Sequence, residues 1–174
     1  MTVGVVLCGG QSSRMGQNKA ELIYQGSPLK QHMKSVLLAG GVDRVYFSGP
    51  EGIVDQQPGL GPLSGLSSCL NELLDEKSVL FVPVDMPLLT SDVIVALLKE
   101  YGDADVTRFE GQHFPLLLQN SAAIRAVLKK QLTDQQLALH QLFKRLTQQL
   151  IKPKEAPQCF VNVNTPEQWQ QLNS

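Results

Sequence analysis

Short apolar runs alternate along this chain with stretches in which apolar residues recur every three or four positions, which predicts strands and helices in alternation. Val3 to Leu7 is an apolar run that stops at Gly9-Gly10, as a buried parallel strand feeding a loop does. Pro28 opens a helical stretch with Ser27 as its N-cap. Leu29, Met33, Val36 and Leu37 share a face of it, and Gly40-Gly41 ends it. Val45 to Ser48 reads as a second strand. Gly49 to Gly61, rich in Gly, Pro and Gln, reads mostly as loop. Leu63, Leu66, Leu70, Leu73 and Leu74 form the next helical stripe. Val79 to Val84 is a central strand, followed by Asp85-Met86-Pro87. A capped helix begins near Thr90 or Ser91, with Ile94, Leu97, Leu98 and Tyr101 inward.

The second half is patterned less evenly. Asp105 to Gln119 holds one or two strands, because Pro115 argues against an unbroken central one. Ala122 to Leu150 reads as helical, with Leu139, Leu142, Phe143, Leu146 and Leu150 on one face and the glutamines on the wet side. Phe160-Val161 is a last short strand. Thr165 caps a terminal helix that has Pro166 at its first position, and Trp169 packs that helix onto the body. The alternation implies an α/β fold: a mostly parallel sheet with helices on both faces, as one domain over 1–174.

Composition removes several function classes. A chain of 174 residues with a formal net charge of −1 has no basic field for nucleic acid. No apolar run reaches the roughly 20 residues of a membrane span. The first residues lack the charged start and cleavage site of a signal peptide, so the expected location is the cytoplasm. Cys8, Cys69 and Cys159 form no C-x-x-C pair and read as reduced thiols. His32, His113 and His140 are isolated, so nothing makes them metal ligands.

The segment from Leu7 to Lys19 carries the chemistry. Its glycines (Gly9, Gly10, Gly16) let the backbone approach a ligand, and amides exposed in such a turn form an anion nest. Arg14 adds a planar fork for phosphate oxygens and Lys19 a point charge. The dinucleotide pattern G-x-G-x-x-G is absent. The P-loop pattern also fails, because Lys19 lies three residues past Gly16. Local physics supports phosphate binding or a plain structural turn, and goes no further.

The string L-x-G-G-x-S-x-R-M-G-x-x-K after an N-terminal strand resembles the signature of the small nucleotidyltransferases. Three more segments follow in order: Gly61-Pro62-Leu63-Ser64-Gly65, Val82-Pro83-Val84-Asp85-Met86-Pro87 and Phe160-Val161-Asn162-Val163-Asn164-Thr165-Pro166. Together they resemble the molybdenum cofactor guanylyltransferase family over nearly the whole chain. The resemblance implies transfer of GMP from GTP to molybdopterin with release of pyrophosphate. It implies Mg²⁺ as cofactor, with Asp85 as metal ligand and Arg14, Lys19 and Asp85 as catalytic residues. It implies substrate contacts from Leu7, Cys8, Gly9, Gly10, Ser48, Asp55, Gly61, Pro62, Leu63, Gly65, Asn162 and Asn164. Other molybdenum cofactor proteins are possible partners.

Each position also has a plainer reading. Asp85 can cap the turn after its strand, although the carboxyl end of a parallel strand is where open α/β sheets bind ligands. Asp55 can be a loop carboxylate. Gly61 to Gly65 can simply start a helix, and Asn162 and Asn164 can cap the last one. Asn162 and Asn164 alternate on one strand, so both point to the same face. Cys8 stands where relatives carry a small Ala, and Ser48 where they carry Asn. Asp134 to Leu146 has only Lys144 and Arg145 where an arginine-rich acceptor region is expected. Competing functions are cytidylyl transfer to the same pterin, sugar-phosphate nucleotidyl transfer, and a non-catalytic adaptor for molybdenum cofactor. Gly9-Gly10 resembles the GTP type, and the closing N-V-N-T-P together with the short chain disfavours the sugar-phosphate reading.

Overall fold

The computed structural model describes residues 1–9 and 18–174. The anion-nest residues Gly10, Arg14 and Gly16 lie outside the described residues.

Six strands form one twisted sheet: β1 (Val3–Leu7), β4 (Arg44–Ser48), β5 (Ser78–Pro83), β6 (Val106–Phe109), β7 (Leu116–Gln119) and β8 (Gln148–Ile151). Their order is β4-β1-β5-β7-β6-β8. All run parallel except β7, which is antiparallel to β5 and β6. Two short strands, β2 (Ile23–Tyr24) and β3 (Ser27–Pro28), make a separate hairpin. The helices are α1 (Leu29–Ala39), α2 (Pro62–Glu72), α3 (Ser91–Lys99), α4 (Ala122–Thr133), α5 (Leu139–Lys144) and α6 (Pro166–Asn173).

The central strands are buried on both faces, so they read as continuous apolar runs rather than alternating ones. Val3, Val5, Val79 and Phe81 join a core with Leu63, Leu66 and Leu70 of α2 and Leu128 of α4. Val6, Leu80 and Val82 point the other way, onto Met33 and Leu37 of α1 and Ile94 and Leu97 of α3. Helices therefore cover both faces, as the alternation predicts.

Gly40, just past α1, packs directly against α3. A Cβ there would lie 2.4 Å from Ile94 Cβ and 3.1 Å from the Ser91 carbonyl oxygen. Ile94 is fully buried and its Cβ is fixed to the α3 backbone, so the helix itself must shift. Gly40→Ala should therefore destabilise the protein by about 1–3 kcal/mol, read as a lowered denaturation midpoint at unchanged m-value.

Several expectations change. Ser27 does not cap α1: it pairs with Tyr24 in the hairpin, and Pro28 occupies the cap position without a side-chain bond. Leu74 and Tyr101 are exposed, because α2 and α3 end before them. The helical reading of Ala122 to Leu150 holds for α4 and α5 only. The chain then turns into β8, which places Leu150 on an exposed sheet edge. A four-residue strand at an edge needs no inward face, and its Q-Q-L-I sequence fits either period. Phe160-Val161 is not a strand; Phe160 ends a 3-10 turn over Pro157–Phe160. The terminal helix matches in detail. Pro166 sits in its first turn, and Thr165 and Gln168 form a reciprocal capping box.

Candidate active site

The parallel strands β1, β4 and β5 end together, and three chain segments meet at their carboxyl ends. Cys8 N donates to Ser48 O at 2.9 Å, and Val84 N donates to Leu7 O at 3.1 Å. These bonds carry the pairing of β1 with both neighbours past the strand ends. They fix Leu7 and Cys8 as the base from which the glycine-rich segment leaves. Among the described residues, no heavy atom lies within 4 Å of the position a Cβ on Gly9 would take.

Asp85 follows β5 two residues past its end. Its main-chain oxygen accepts from Val163 N at 2.8 Å. Its carboxylate accepts from Asn162 Nδ2 at 2.7 Å through Oδ1 and faces Lys19 Nζ at 3.4 Å through Oδ2. Lys19 Nζ also donates to Asn164 Oδ1 at 2.8 Å. Four side chains from three distant parts of the sequence thus form one chain of contacts: Asn162, Asp85, Lys19, Asn164. The lysine and aspartate side chains keep 17% and 18% of their exposure, enough to remain accessible from solvent. Asn162 and Asn164 share a side without being on a strand. The extended segment between the 3-10 turn and α6 has the same two-residue alternation, with Val163 buried between them.

Lys19 owes its position to the 3-10 turn Lys19–Glu21, which Asn18 caps by accepting from Ala20 N at 3.1 Å. The turn lies directly after the glycine-rich segment. It therefore returns the chain to the sheet beside Asp85.

The Gly61-Pro62-Leu63-Ser64-Gly65 segment does start a helix. Gly61 caps α2 at φ 77°, a left-handed conformation that favours glycine, and Pro62 takes the first turn. Leu63 is core. A Cβ on Gly65 would meet Ser48 Oγ at 3.8 Å and Leu7 Cδ2 at 3.9 Å, which is ordinary contact. Gly65 therefore brings α2 against the ends of β1 and β4, but packing alone does not demand a glycine. Ser48 itself is buried beside Cys69, whose thiol pKa burial raises and Ser48 partly lowers. Asp55 has a definite structural job. It accepts from Ser64 Oγ at 2.7 Å and Gln57 N at 2.9 Å, tying its loop to the first turn of α2. Both its oxygens are engaged within the protein, which is the plain loop reading of this residue.

One ion cluster is invisible in the sequence. Lys30 on α1 pairs with Glu21 and with Glu51, the latter at 2.9 Å, and lies 5.9 Å from the centre of the Phe47 ring. It joins the turn after Lys19 to the turn after β4. Its partners are 9 and 21 residues away, so no local spacing announces it. The Glu21 and Glu51 hydrogen bonds raise the Lys30 pKa, and Lys30 lowers that of Glu51. Nearby, burial pushes the Cys8 thiol up to about 12; Lys30 opposes this, while Glu21 and Glu51 add to it. Cys8 is consequently a neutral thiol at physiological pH and contributes its backbone rather than a nucleophile.

Among the described residues no cluster of three or more His, Cys, Asp or Glu is placed to hold a metal ion. A lone carboxylate nevertheless suits a hard cation whose remaining ligands are waters and substrate phosphates. No helix of the described residues is long and apolar enough to cross a membrane.

Comparison with known proteins agrees with this arrangement. The MobA-like NTP transferase domain matches residues 4–151. A molybdenum cofactor guanylyltransferase of Xanthomonas euvesicatoria is 40% identical over 97% of this chain and 93% of its own length. One of Shewanella sediminis is 29% identical over 97% and 94%. The crystal structure of molybdopterin-guanine dinucleotide biosynthesis protein A from Archaeoglobus fulgidus superposes with a TM-score of 0.76 at 19% identity, covering 99% of this chain and 96% of that one. The six-stranded, mostly parallel sheet is thus shared with a solved structure of this kind, and the chain belongs to the MobA-like NTP transferase family.

Proposed function

We propose that this protein transfers GMP from GTP to molybdopterin, forming the guanine dinucleotide cofactor and pyrophosphate, with residues 1–174 acting as one catalytic unit. The observation that carries this reading is the contact chain Asn162–Asp85–Lys19–Asn164 at the carboxyl ends of β1 and β5. It sets one carboxylate and one ammonium beside the glycine-rich segment. That is the charge pattern for a metal-bound triphosphate.

The acceptor's terminal phosphate supplies the nucleophile. One of its oxygens forms a bond to the α-phosphorus of GTP. The bond from that phosphorus to the bridging oxygen breaks, and pyrophosphate leaves with the electron pair. The nucleophile is an anion near neutral pH, so no strong general base is required. Alignment and charge stabilisation supply the rate. Lys19 and Arg14 balance charge on the leaving pyrophosphate. The amides of Gly9 and Gly10 approach the phosphates, and Leu7 and Cys8 hold the start of that loop. The exposed start of α2 at Gly61 and Pro62 faces the base and ribose side, with Ser48, Leu63 and Gly65 buried behind it. Asp55 supports that turn through Ser64. Mg²⁺ fits at Asp85, where it would polarise the phosphates when bound. Asn162 orients the carboxylate, and Asn164 positions Lys19.

Nucleotide choice is tested by thermal shift with GTP, CTP, ATP and UTP, each with and without Mg²⁺. At about 100 times its Kd, Mg-GTP should stabilise by about 2.7 kcal/mol and raise Tm by roughly 5–10 °C. The other nucleotides should give much smaller shifts. A larger response to Mg-CTP would overturn the guanine assignment, and no response to any nucleotide would favour a non-catalytic role.

A further inference from the structure

A polar cleft of about 420 Å³ lies between α2 and α4, flanked by the loop that carries Gln56 and Gln57. It follows the side of α2 from Ser64 to Asn71, about 10 Å of helix. That direction leads away from the carboxyl ends of the strands. The far end of α2 is bonded by Asn120 Nδ2, and Asn120 N donates to Lys77 O, just before β5 begins. Lys19, Asp85, Asn162 and Asn164 have no part in lining this cleft.

Its chemistry is that of donors without acceptors. Arg125 and Lys129 both line it, and four residues apart they stand on one face of α4. Like charges so placed repel and weaken the helix. No aspartate or glutamate lines the cleft. Asp55 lies behind Ser64 and Ser68, and its carboxylate is already engaged by Ser64 Oγ at 2.7 Å and Gln57 N at 2.9 Å. Two cations against one hydrogen-bonded carboxylate leave the cleft positive.

Other cations of the molecule are paired. Lys130 meets Asp134 at 3.0 Å, Arg44 meets Glu76, and Lys30 meets Glu21 and Glu51. Among the described residues Lys129 has no such partner. Arg125 is half used. Its Nη1 donates to Asn120 Oδ1 at 2.7 Å and to Asn120 O at 3.2 Å, which fixes the guanidinium. Its Nε and Nη2 have no partner among the described residues. Ser67, on the α2 wall, is only 7% exposed, and its hydroxyl also has no hydrogen-bond partner among the described residues, whereas Ser64 and Ser68 are both bonded. Hydroxyls buried to this extent are ordinarily paired, so Ser67 marks a place for an acceptor.

A fixed fork, a point charge and a hydroxyl donor call for an anion with several oxygens. A carboxylate would satisfy the fork alone. A phosphate dianion has oxygens for all three. The cleft also has room for a small polar body beyond the phosphate, with the side-chain amides of Gln56, Gln57 and Asn71 along its path. We propose that this cleft is a second binding site, for a small phosphate monoester, held by Arg125 and Lys129 on one side and Ser67 on the other. The assignment is independent of the transfer reaction, since it uses none of the residues placed against the triphosphate or the metal.

The probe is ribose 5-phosphate, titrated into the isotope-labelled whole protein and followed by amide chemical shifts. Saturable shifts are expected around Ser67, Asn71, Arg125 and Lys129. Lys129→Gln should weaken binding by about 10-fold, the loss of one charge-assisted hydrogen bond, and Ser67→Ala by about fivefold. Lys130→Gln removes the same charge one residue along, from a lysine outside the cleft. It should leave affinity within about twofold, because an exposed charge there is screened. Lys129 is exposed on α4, so its variant tests binding without disturbing the core. Equal losses in Lys129→Gln and Lys130→Gln would reduce the effect to the general charge of the helix and overturn the assignment. So would shifts confined to the Lys19 and Asp85 side, which would place the phosphate in the nucleotide site. The absence of saturable shifts at about 10 mM, ten times a millimolar Kd, would overturn it as well. If these shifts appear in a protein that responds to no nucleoside triphosphate, the transfer reading fails and the second site stands.

Discussion

Asp85→Asn should lower guanylyl transfer by about 10²–10³-fold while leaving the protein folded. The expected loss follows from what the carboxylate does. In the proposed site it is the charged oxygen that would meet the metal, beside Lys19. An amide presents a neutral oxygen and a donor where a cation is to be held. Stability should change little. The main-chain bond from Val163 N to Asp85 O does not involve the side chain, and the amide oxygen can still accept from Asn162. What disappears is a 3.4 Å ion pair with Lys19, partly open to water, worth less than about 1 kcal/mol. The measurements are transfer of labelled GMP to molybdopterin and denaturation by urea. Wild-type turnover in the variant would reduce Asp85 to a turn residue, and a large drop in the urea midpoint would make the activity loss a folding effect.

Asp85 is legible in the sequence because its signal is local. The apolar run Val79 to Val84 ends, an acidic residue follows, and a Met-Pro pair closes the turn. The same holds for β1, for the leucine stripe of α2 and for the Thr165 cap. Each is dictated by neighbours within a turn or two. The pattern misleads where the decisive partner is distant. β8 has no burial requirement of its own; it is a strand because β6 offers it an edge, so its glutamines and leucine carry no period that separates strand from helix. The Asn162–Asn164 segment has the alternation of a strand, but spends it on side-chain contacts to Asp85 and Lys19 rather than on a ladder. Asp55 stands out by its place before the Gly61 turn. The structure engages it with Ser64 and Gln57, a role that only the fold of the loop reveals. The cleft between α2 and α4 carries no mark for a related reason. Arg125 and Lys129 form no motif, and become a site only when Ser67 and Asn71 are brought opposite them.

Lys19→Met should separate two properties that Asp85→Asn lowers together. Methionine keeps most of the length of the lysine stem and removes the charge. The ammonium contacts Asn164 Oδ1 at 2.8 Å and Asp85 Oδ2 at 3.4 Å. In the nucleotide-free protein it is therefore a competitor for the same carboxylate that a metal would use. Two cations cannot share one carboxylate without repulsion, so removing this one favours metal binding. Free Mn²⁺, followed by its electron paramagnetic resonance signal as a stand-in for Mg²⁺, should bind Lys19→Met at least as tightly as wild type. Asp85→Asn should bind it more weakly. Turnover should move the other way: losing the charge that meets the departing pyrophosphate is expected to cost about 10²-fold in kcat/KM. Lys19→Arg should recover only part of that, because a planar fork does not replace a point charge held between Asn164 and Asp85. If Lys19→Met binds Mn²⁺ less well than wild type, then Lys19 supports the metal site rather than competing for it. If its turnover is unchanged, another cation meets the leaving group and Lys19 has no part in stabilising it.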